Sequence, residues 1–240
     1  MDFEVVDTLE LLDNARIVEL RYVPWGSNDS FLVFLDHGSM NYLQGIYKPC
    51  SGEAPLHDFP NGSLFKREYA SYLLSQILGW PLIPPTVIRD GPYGVGIVQL
   101  YIESDPNLTY FDFVGDMKHQ LLKFAIFDFV VNNADRKGGH FLLDSKGLVW
   151  SIDHGLTFHH IFKMRTVMTE FWGAELPVAL QRDLNGLIVM LNEKSHIVTK
   201  LSELISEQEV DALICRIDVL LRSGSLPKMD SFTNIPWSLL

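Results

Sequence analysis

Four charged residues stand in an order that suits phosphoryl transfer from a nucleotide: Lys48, Glu68, Asp135 and Asp153. That chemistry needs a strand lysine to steady the α and β phosphates and a helix carboxylate to hold the lysine. It also needs one carboxylate beside the attacking hydroxyl and another acidic group for a metal ion. Lys48 closes the segment Gly45-Ile46-Tyr47-Lys48-Pro49, and Glu68 follows 20 positions later in the first turns of an expected helix, a spacing that allows a strand-to-helix ion pair. Asp135 lies in the polar run 132–140. Asp153 ends the hydrophobic stretch Val149-Trp150-Ser151-Ile152, with Gly155 two places on. The 18 residues from one carboxylate to the other hold a hairpin, which brings a loop carboxylate to a strand-end carboxylate. Taken singly, Lys48 and Glu68 read as surface charges and Asp135 and Asp153 as turn caps. The ordered set of four carries the argument.

The elements that must position these residues show as patterns. Alternating apolar residues predict strands over 17–23, 31–35 and 42–48. Their turns are Pro24-Trp25-Gly26-Ser27-Asn28-Asp29-Ser30 and Asp36-His37-Gly38-Ser39. Residues 49–63 are irregular and rich in Pro and Gly. Tyr69, Tyr72, Leu73 and Ile77 at helical spacing predict a helix over 64–78 that stops at Gly79. Two more strands are expected over 86–89 and 96–103. The second half is mainly helical, with an apolar helix over 116–132 and a hairpin of 141–143 and 149–152. Helices continue from Pro177, the last opened by the capping box Ser206-Glu207-Gln208-Glu209 and running to about Arg222. Five strands with one helix, then helices with an embedded hairpin, make an α+β, two-lobed layout. No repeat or linker interrupts it, so one domain is expected, with residues 1–100 or so as the N-terminal lobe and about 104–240 as the C-terminal lobe.

Trp25-Gly26-Ser27-Asn28-Asp29-Ser30-Phe31, Ile46-Tyr47-Lys48-Pro49, Ala134-Asp135-Arg136 and Ile152-Asp153-His154-Gly155-Leu156-Thr157-Phe158 together resemble the phosphatidylinositol 3-/4-kinase-like superfamily. Its fold is protein-kinase-like, here shortened, and the type II phosphatidylinositol 4-kinases are the nearest named branch. With Pro55-Leu56-His57-Asp58-Phe59-Pro60 and the run 132–140, the chain looks closer still to a small bacterial branch of that superfamily. The resemblance spans about residues 15–175.

That resemblance implies an ATP site served by Mg²⁺ or Mn²⁺. It implies that Ser27, Asn28, Asp29 and Ser30 cover the phosphates through backbone N–H groups and hydroxyls. Lys48 and Glu68 become the phosphate lysine and its partner. Residues 99–103, Gln99 and Tyr101 among them, would link the lobes and bond the adenine through backbone groups. Asp135 would be the catalytic carboxylate, Lys137 would neutralise the transferring phosphoryl group, and Asp153 would be the principal metal ligand. His140 departs from the pattern, because the superfamily has Asn there as a second metal ligand. Imidazole suits Mn²⁺ or Zn²⁺ better than oxygen-preferring Mg²⁺. A structural histidine bonded to the loop is the alternative.

The composition bounds the rest. With 47% hydrophobic and 20% charged residues the chain reads as globular. A formal charge of −11 argues against a general nucleic-acid binder and against adhesion to anionic membranes. Cys50 and Cys215 match no zinc spacing and read as thiols of a reducing cytosol. No basic leader and no run near the ~20 apolar residues of a membrane span is visible, so the expected setting is cytoplasmic. His37, His57, His119 and His196 are scattered and read as ordinary. His154, His159 and His160 beside Asp153 leave open a three-histidine zinc site. Lys163 and Arg165 fall where kinases keep a substrate loop, and they offer either a dock for an acidic substrate or two surface cations. Phe171-Trp172-Gly173 reads as core packing. The expected function is an ATP-dependent phosphotransferase acting on a protein or small-molecule hydroxyl. A phosphoinositide is disfavoured by the acidity and by the lack of an amphipathic membrane helix. The alternatives are a nucleotide-binding scaffold that transfers nothing, and a protein adenylyltransferase.

Overall fold

The computed structural model describes residues 5–24, 26–38, 41–193 and 196–240. Residues 1–4, Trp25, Ser39 and the side chain of His196 lie outside the described set. The first half is a five-stranded antiparallel sheet of β1 (Arg16–Val23), β2 (Ser30–Asp36), β3 (Tyr42–Pro49), β4 (Thr86–Gly91) and β5 (Gly94–Leu100), in the order β1-β2-β3-β5-β4. Strand β2 alternates as its sequence requires, with Phe31, Val33 and Leu35 buried on one face. Those residues join Tyr47, Val87 and Val98 in the core of this lobe.

Helix α1 (Val5–Asn14) closes that core through the fully buried Leu12, and the sequence analysis did not anticipate it. The carbonyls of Leu12, in its last turn, and of Ala15, just past its end, accept from Arg89 Nη1 at 2.8 and 2.9 Å. The partner that satisfies this helix end is therefore more than 70 positions away and leaves no local signal.

Helix α2 (Leu64–Ile77) packs against β4 and β5 and also faces the second half of the chain. There α3 (Tyr110–Val131), the hairpin β6 (Phe141–Leu143) and β7 (Val149–Ser151), α4 (Val178–Asn192), α5 (His196–Ser202) and α6 (Glu207–Ser223) surround one large apolar cluster. Helix α3 begins at Tyr110 rather than Asp116. Asp112 accepts from the N–H and hydroxyl of Thr109 at 2.7 and 2.8 Å, a Thr-x-x-Asp cap that the sequence carried unread. The Ser206–Glu209 capping box opens α6 as expected.

Helix α2 is tied to the helical half by a buried ion pair. Arg67 donates to Glu209 of α6 at 2.7 Å and to the Thr157 carbonyl at 2.7 Å. Burial pushes the Glu209 carboxyl up, but the Ser206 N–H and Arg67 more than offset it and hold it below its usual value. A depressed carboxylate adds stability that is present above its unfolded pKa of about 4.3 and is lost as pH falls through the folded value. Glu209→Gln should therefore cost about 2 kcal/mol at neutral pH. It should also flatten the acid limb of stability below roughly pH 4.5, measured by urea unfolding across pH.

Candidate active site

Lys48 sits at the end of β3 and spans two carboxylates. Its Nζ lies 2.6 Å from Glu68 Oε1 on α2 and 3.1 Å from Asp153 Oδ1 just beyond β7. The strand-to-helix pair expected from spacing is thus formed, and it reaches the second half of the chain. Burial pushes Glu68 up to about 7 while Lys48 pulls it back. Lys48 itself is raised, because Asp153 and Glu68 outweigh the burial that would lower it. Asp153 is held well below the usual carboxylate range, first of all by Lys48. Its backbone adopts φ +62°, a left-handed conformation uncommon for a residue with a side chain. Such strain persists where the surroundings over-determine it, and it clusters at functional positions.

The loop carrying Asp135 is held by a buried frame centred on Arg136, which is fully buried. Arg136 donates to both oxygens of Asp128 on α3, at 2.7 and 3.0 Å, and to the Ile152 carbonyl at 2.8 Å. Its Nη2 also meets His154 Nε2 at 2.7 Å. Guanidinium is always a donor, so His154 accepts through Nε2 and carries its proton on Nδ1. Burial and the Arg136 charge hold that imidazole well below its ordinary pKa. Asn133 bonds Asp128 at 2.9 Å and receives the Asp135 N–H at 3.0 Å, while the Ile152 N–H reaches the His140 carbonyl at 3.0 Å. One buried network therefore fixes the Asp135 loop and the Asp153 turn relative to each other. Asp128 belongs to no motif, yet a carboxylate in the otherwise apolar run Phe124–Val131 had to find a cation.

Asp135 is partly exposed, and burial raises its carboxyl above the usual value against the pull of Lys137, whose Nζ lies 3.2 Å away. His140 accepts the Lys137 N–H on Nδ1 at 3.4 Å, which leaves its Nε2–H facing Asp153 Oδ2 at 3.4 Å. Burial lowers its pKa to about 4, so it is neutral at pH 7. In this arrangement His140 steadies Asp153, and ligation through Nε2 would require its proton to move to Nδ1.

Three carboxylates, Glu68, Asp135 and Asp153, thus face two cations, Lys48 and Lys137. Glu68 Oε2 is buried with no hydrogen-bond partner among the described residues. An oxygen-rich group with surplus negative charge fits Mg²⁺ or Mn²⁺. Among the described residues no three His, Cys, Asp or Glu side chains form a metal-holding group by themselves.

The remaining expected residues divide. The β2–β3 ladder ends with Phe31 opposite Tyr47, so Ser30, the first residue of β2, and Lys48 each lie one step beyond that last pair, with Ser27 to Asp29 in the turn before β2. Asn28 Oδ1 accepts the Ala54 N–H at 2.8 Å and the Asp29 N–H reaches the Gly52 carbonyl at 2.9 Å, which pins this turn to the irregular segment after β3. The Gln99 side chain is buried and donates to Thr86 at 3.0 Å, and the Tyr101 N–H is taken by the Gln44 carbonyl at 3.0 Å. The three-histidine zinc site is not formed. His154 serves Arg136, and His159 stacks on His160 and bonds the Asp58 carbonyl. Lys163 pairs with Asp58 at 2.6 Å and Arg165 lies 5.8 Å from the Trp237 ring, so both loop cations are engaged within the chain. Phe171 is buried as expected.

Comparison with known proteins places the fold. No protein-family model matches the chain. The protein Rv2133c of Mycobacterium tuberculosis is 34% identical over 266 aligned residues, which cover 96% of this chain and 95% of that protein. Among solved structures, the Golgi casein kinase with Mn and ADP bound aligns with a TM-score of 0.59 at 14% identity, over 91% of this chain and 74% of that one. The Helicobacter pylori proinflammatory kinase CtkA aligns at 0.51 and 10% identity, over 89% and 94%. At these identities the likeness establishes the fold, which is protein-kinase-like.

Proposed function

This chain belongs to the same family as mycobacterial Rv2133c, and we propose that it is an ATP- and divalent-metal-dependent phosphotransferase acting on a hydroxyl. The observation that carries the proposal is Lys48 held between Glu68 and Asp153, with Asp135 and Lys137 framed beside them by Arg136. One of the structural neighbours is a kinase with Mn and ADP bound, which supports the choice of nucleotide and metal. The kinship to phosphatidylinositol 3-/4-kinases read from the sequence motifs is part of this proposal, with a protein or small molecule preferred over a lipid acceptor. Among the described residues no helix is long and apolar enough to cross a membrane.

In this reading Glu68 orients Lys48, which draws the α and β phosphates into register through its ammonium. The backbone and hydroxyls of residues 27–30 close over them, and residues 99–103 receive the adenine edge through backbone groups other than the Tyr101 N–H, which bonds Gln44. Asp153, with His140 once its Nε2 proton has moved to Nδ1, would hold the metal, which would supply charge neutralisation at the phosphates. Asp135 accepts the acceptor hydroxyl's proton at a carboxylate oxygen as the new O–P bond forms and the bond to the departing diphosphate breaks. Its raised pKa suits that role. Lys137 offsets the charge on the transferring phosphoryl group.

One observation favours a second reading, binding without transfer: the Nε2–H of His140 faces Asp153 rather than leaving a lone pair for a metal. His140→Asn supplies an amide oxygen in that place. It should shift nucleotide binding toward Mg²⁺ over Mn²⁺ by about tenfold, measured by titration calorimetry with each ion.

Transfer itself is tested by mass spectrometry of candidate acceptors after incubation with ATP and either ion. Gain of phosphate supports the proposal. Gain of AMP would replace it with adenylyl transfer, and no modification beside firm ATP binding would leave the scaffold reading.

A further inference from the structure

The chain beyond α6 returns across the two loops that frame Asp135. The Gly138 N–H donates to the Leu239 carbonyl at 2.8 Å, and the Thr166 N–H donates to the Asn234 carbonyl at 2.9 Å. Asn234 Nδ2 adds a bond to the Met164 carbonyl at 2.8 Å. Gly138 is one residue past Lys137 and three past Asp135, and Thr166 is bridged to Arg136. A Cβ on Gly138 would stand 3.2 Å from the Leu239 oxygen and 2.7 Å from the Phe111 ring, so glycine there admits the close approach of a second backbone.

Two features say what this contact is. The bonds at Gly138 and Thr166 run backbone to backbone, so neither depends on a particular side chain of the segment that makes it. The strap buries Pro236 and half-buries Ile235, yet leaves the Trp237 ring in solvent at 96% exposure, and Phe232 just before it stands at 95%. A segment held by three hydrogen bonds and one buried proline, with its tryptophan unburied, is displaceable.

We infer that residues 234–239 occupy a polypeptide-binding face on the Asp135 loop, that a protein segment is the acceptor, and that the strap must leave before one binds. The use of this face in transfer rests on the phosphotransferase reading, whereas the pairing itself does not.

The test uses the full chain, wild type, Trp237→Ala, and the double variant Asn234→Ala/Trp237→Ala. The probe is a fluorescent peptide with the sequence of residues 229–240, and binding is read by anisotropy without nucleotide or metal. Losing the Asn234 side-chain bonds and the Arg165–Trp237 contact should free the face, so the peptide binds the double variant about tenfold tighter than wild type. Amide exchange at Gly138 and Thr166 should quicken by a similar factor. Trp237→Ala alone, at a nearly fully exposed position, should fold normally and shift both readouts in the same direction. Equal peptide binding by all three proteins, or unchanged exchange at both amides, overturns the inference. Failure of ATP to bind would sink the kinase reading and with it the acceptor role, and would leave the polypeptide-binding face standing.

Discussion

Lys48→Met should lower phosphoryl transfer by at least about 10²-fold, and more if the metal site is disturbed as well, while the protein stays folded. Methionine keeps the length of the aliphatic stem but removes the ammonium that sits 2.6 Å from Glu68 and 3.1 Å from Asp153. Two carboxylates then lose their shared cation. Glu68 already stands near 7 because it is buried, so without Lys48 it takes up a proton instead of remaining as a buried charge. Asp153 is half-exposed, with 49% of its side-chain surface accessible, and stays solvated. The loss of stability should therefore be small, a fall of about 5 °C or less in the unfolding midpoint, while the loss of transfer is large. Phosphate incorporation and a circular-dichroism melt on the same preparation separate the two. A variant that unfolds outright would assign Lys48 to structure.

Asp128→Ala should do the reverse and strike stability first. Asp128 and Arg136 are both buried and share two hydrogen bonds, so truncating the carboxylate strands a guanidinium in the core. Breaking such a pair costs about 3–5 kcal/mol. At this chain length that lowers the midpoint by roughly 10–15 °C. Asp128→Asn keeps one acceptor oxygen for Arg136 and should lose about half as much. Because the same Arg136 also holds the Ile152 carbonyl and His154, whatever folded Asp128→Ala remains should transfer slowly, with Asp135 and Asp153 no longer held in one frame.

Both predictions rest on a site whose members were only partly visible in the chain. Lys48, Glu68, Asp135 and Asp153 could be picked out because each ends or opens a patterned element, and the order of those elements is local information. The five strands and the hairpin before Asp153 were legible for the same reason, since alternation and turn residues lie within a few positions of one another. What escaped was decided at long range. Helix α1 ends on an arginine from β4, and its short pattern gave no local stop. The link between α2 and α6 through Arg67 and Glu209 spans 142 positions. The zinc alternative for His154 failed because that ring turns inward to a guanidinium, a choice that periodicity does not reveal. The start of α3 was a different case, since the Thr109–Asp112 cap stood in the sequence and was passed over in favour of the apolar run that follows. The engagement of Lys163 with Asp58 likewise turned a free-looking cation into half of an ion pair.

The most direct test of a nucleotide site built on Lys48, Glu68 and Asp153 is thermal unfolding of wild type and Asp153→Asn, each with and without ATP plus Mg²⁺ or Mn²⁺. Ligand at about 100 times its dissociation constant adds roughly 2.7 kcal/mol, a rise of about 5–10 °C for a chain of this length. The account predicts that rise in wild type, dependent on the metal and lost in Asp153→Asn. No rise with any nucleotide or metal, or an equal rise in both proteins, would contradict it.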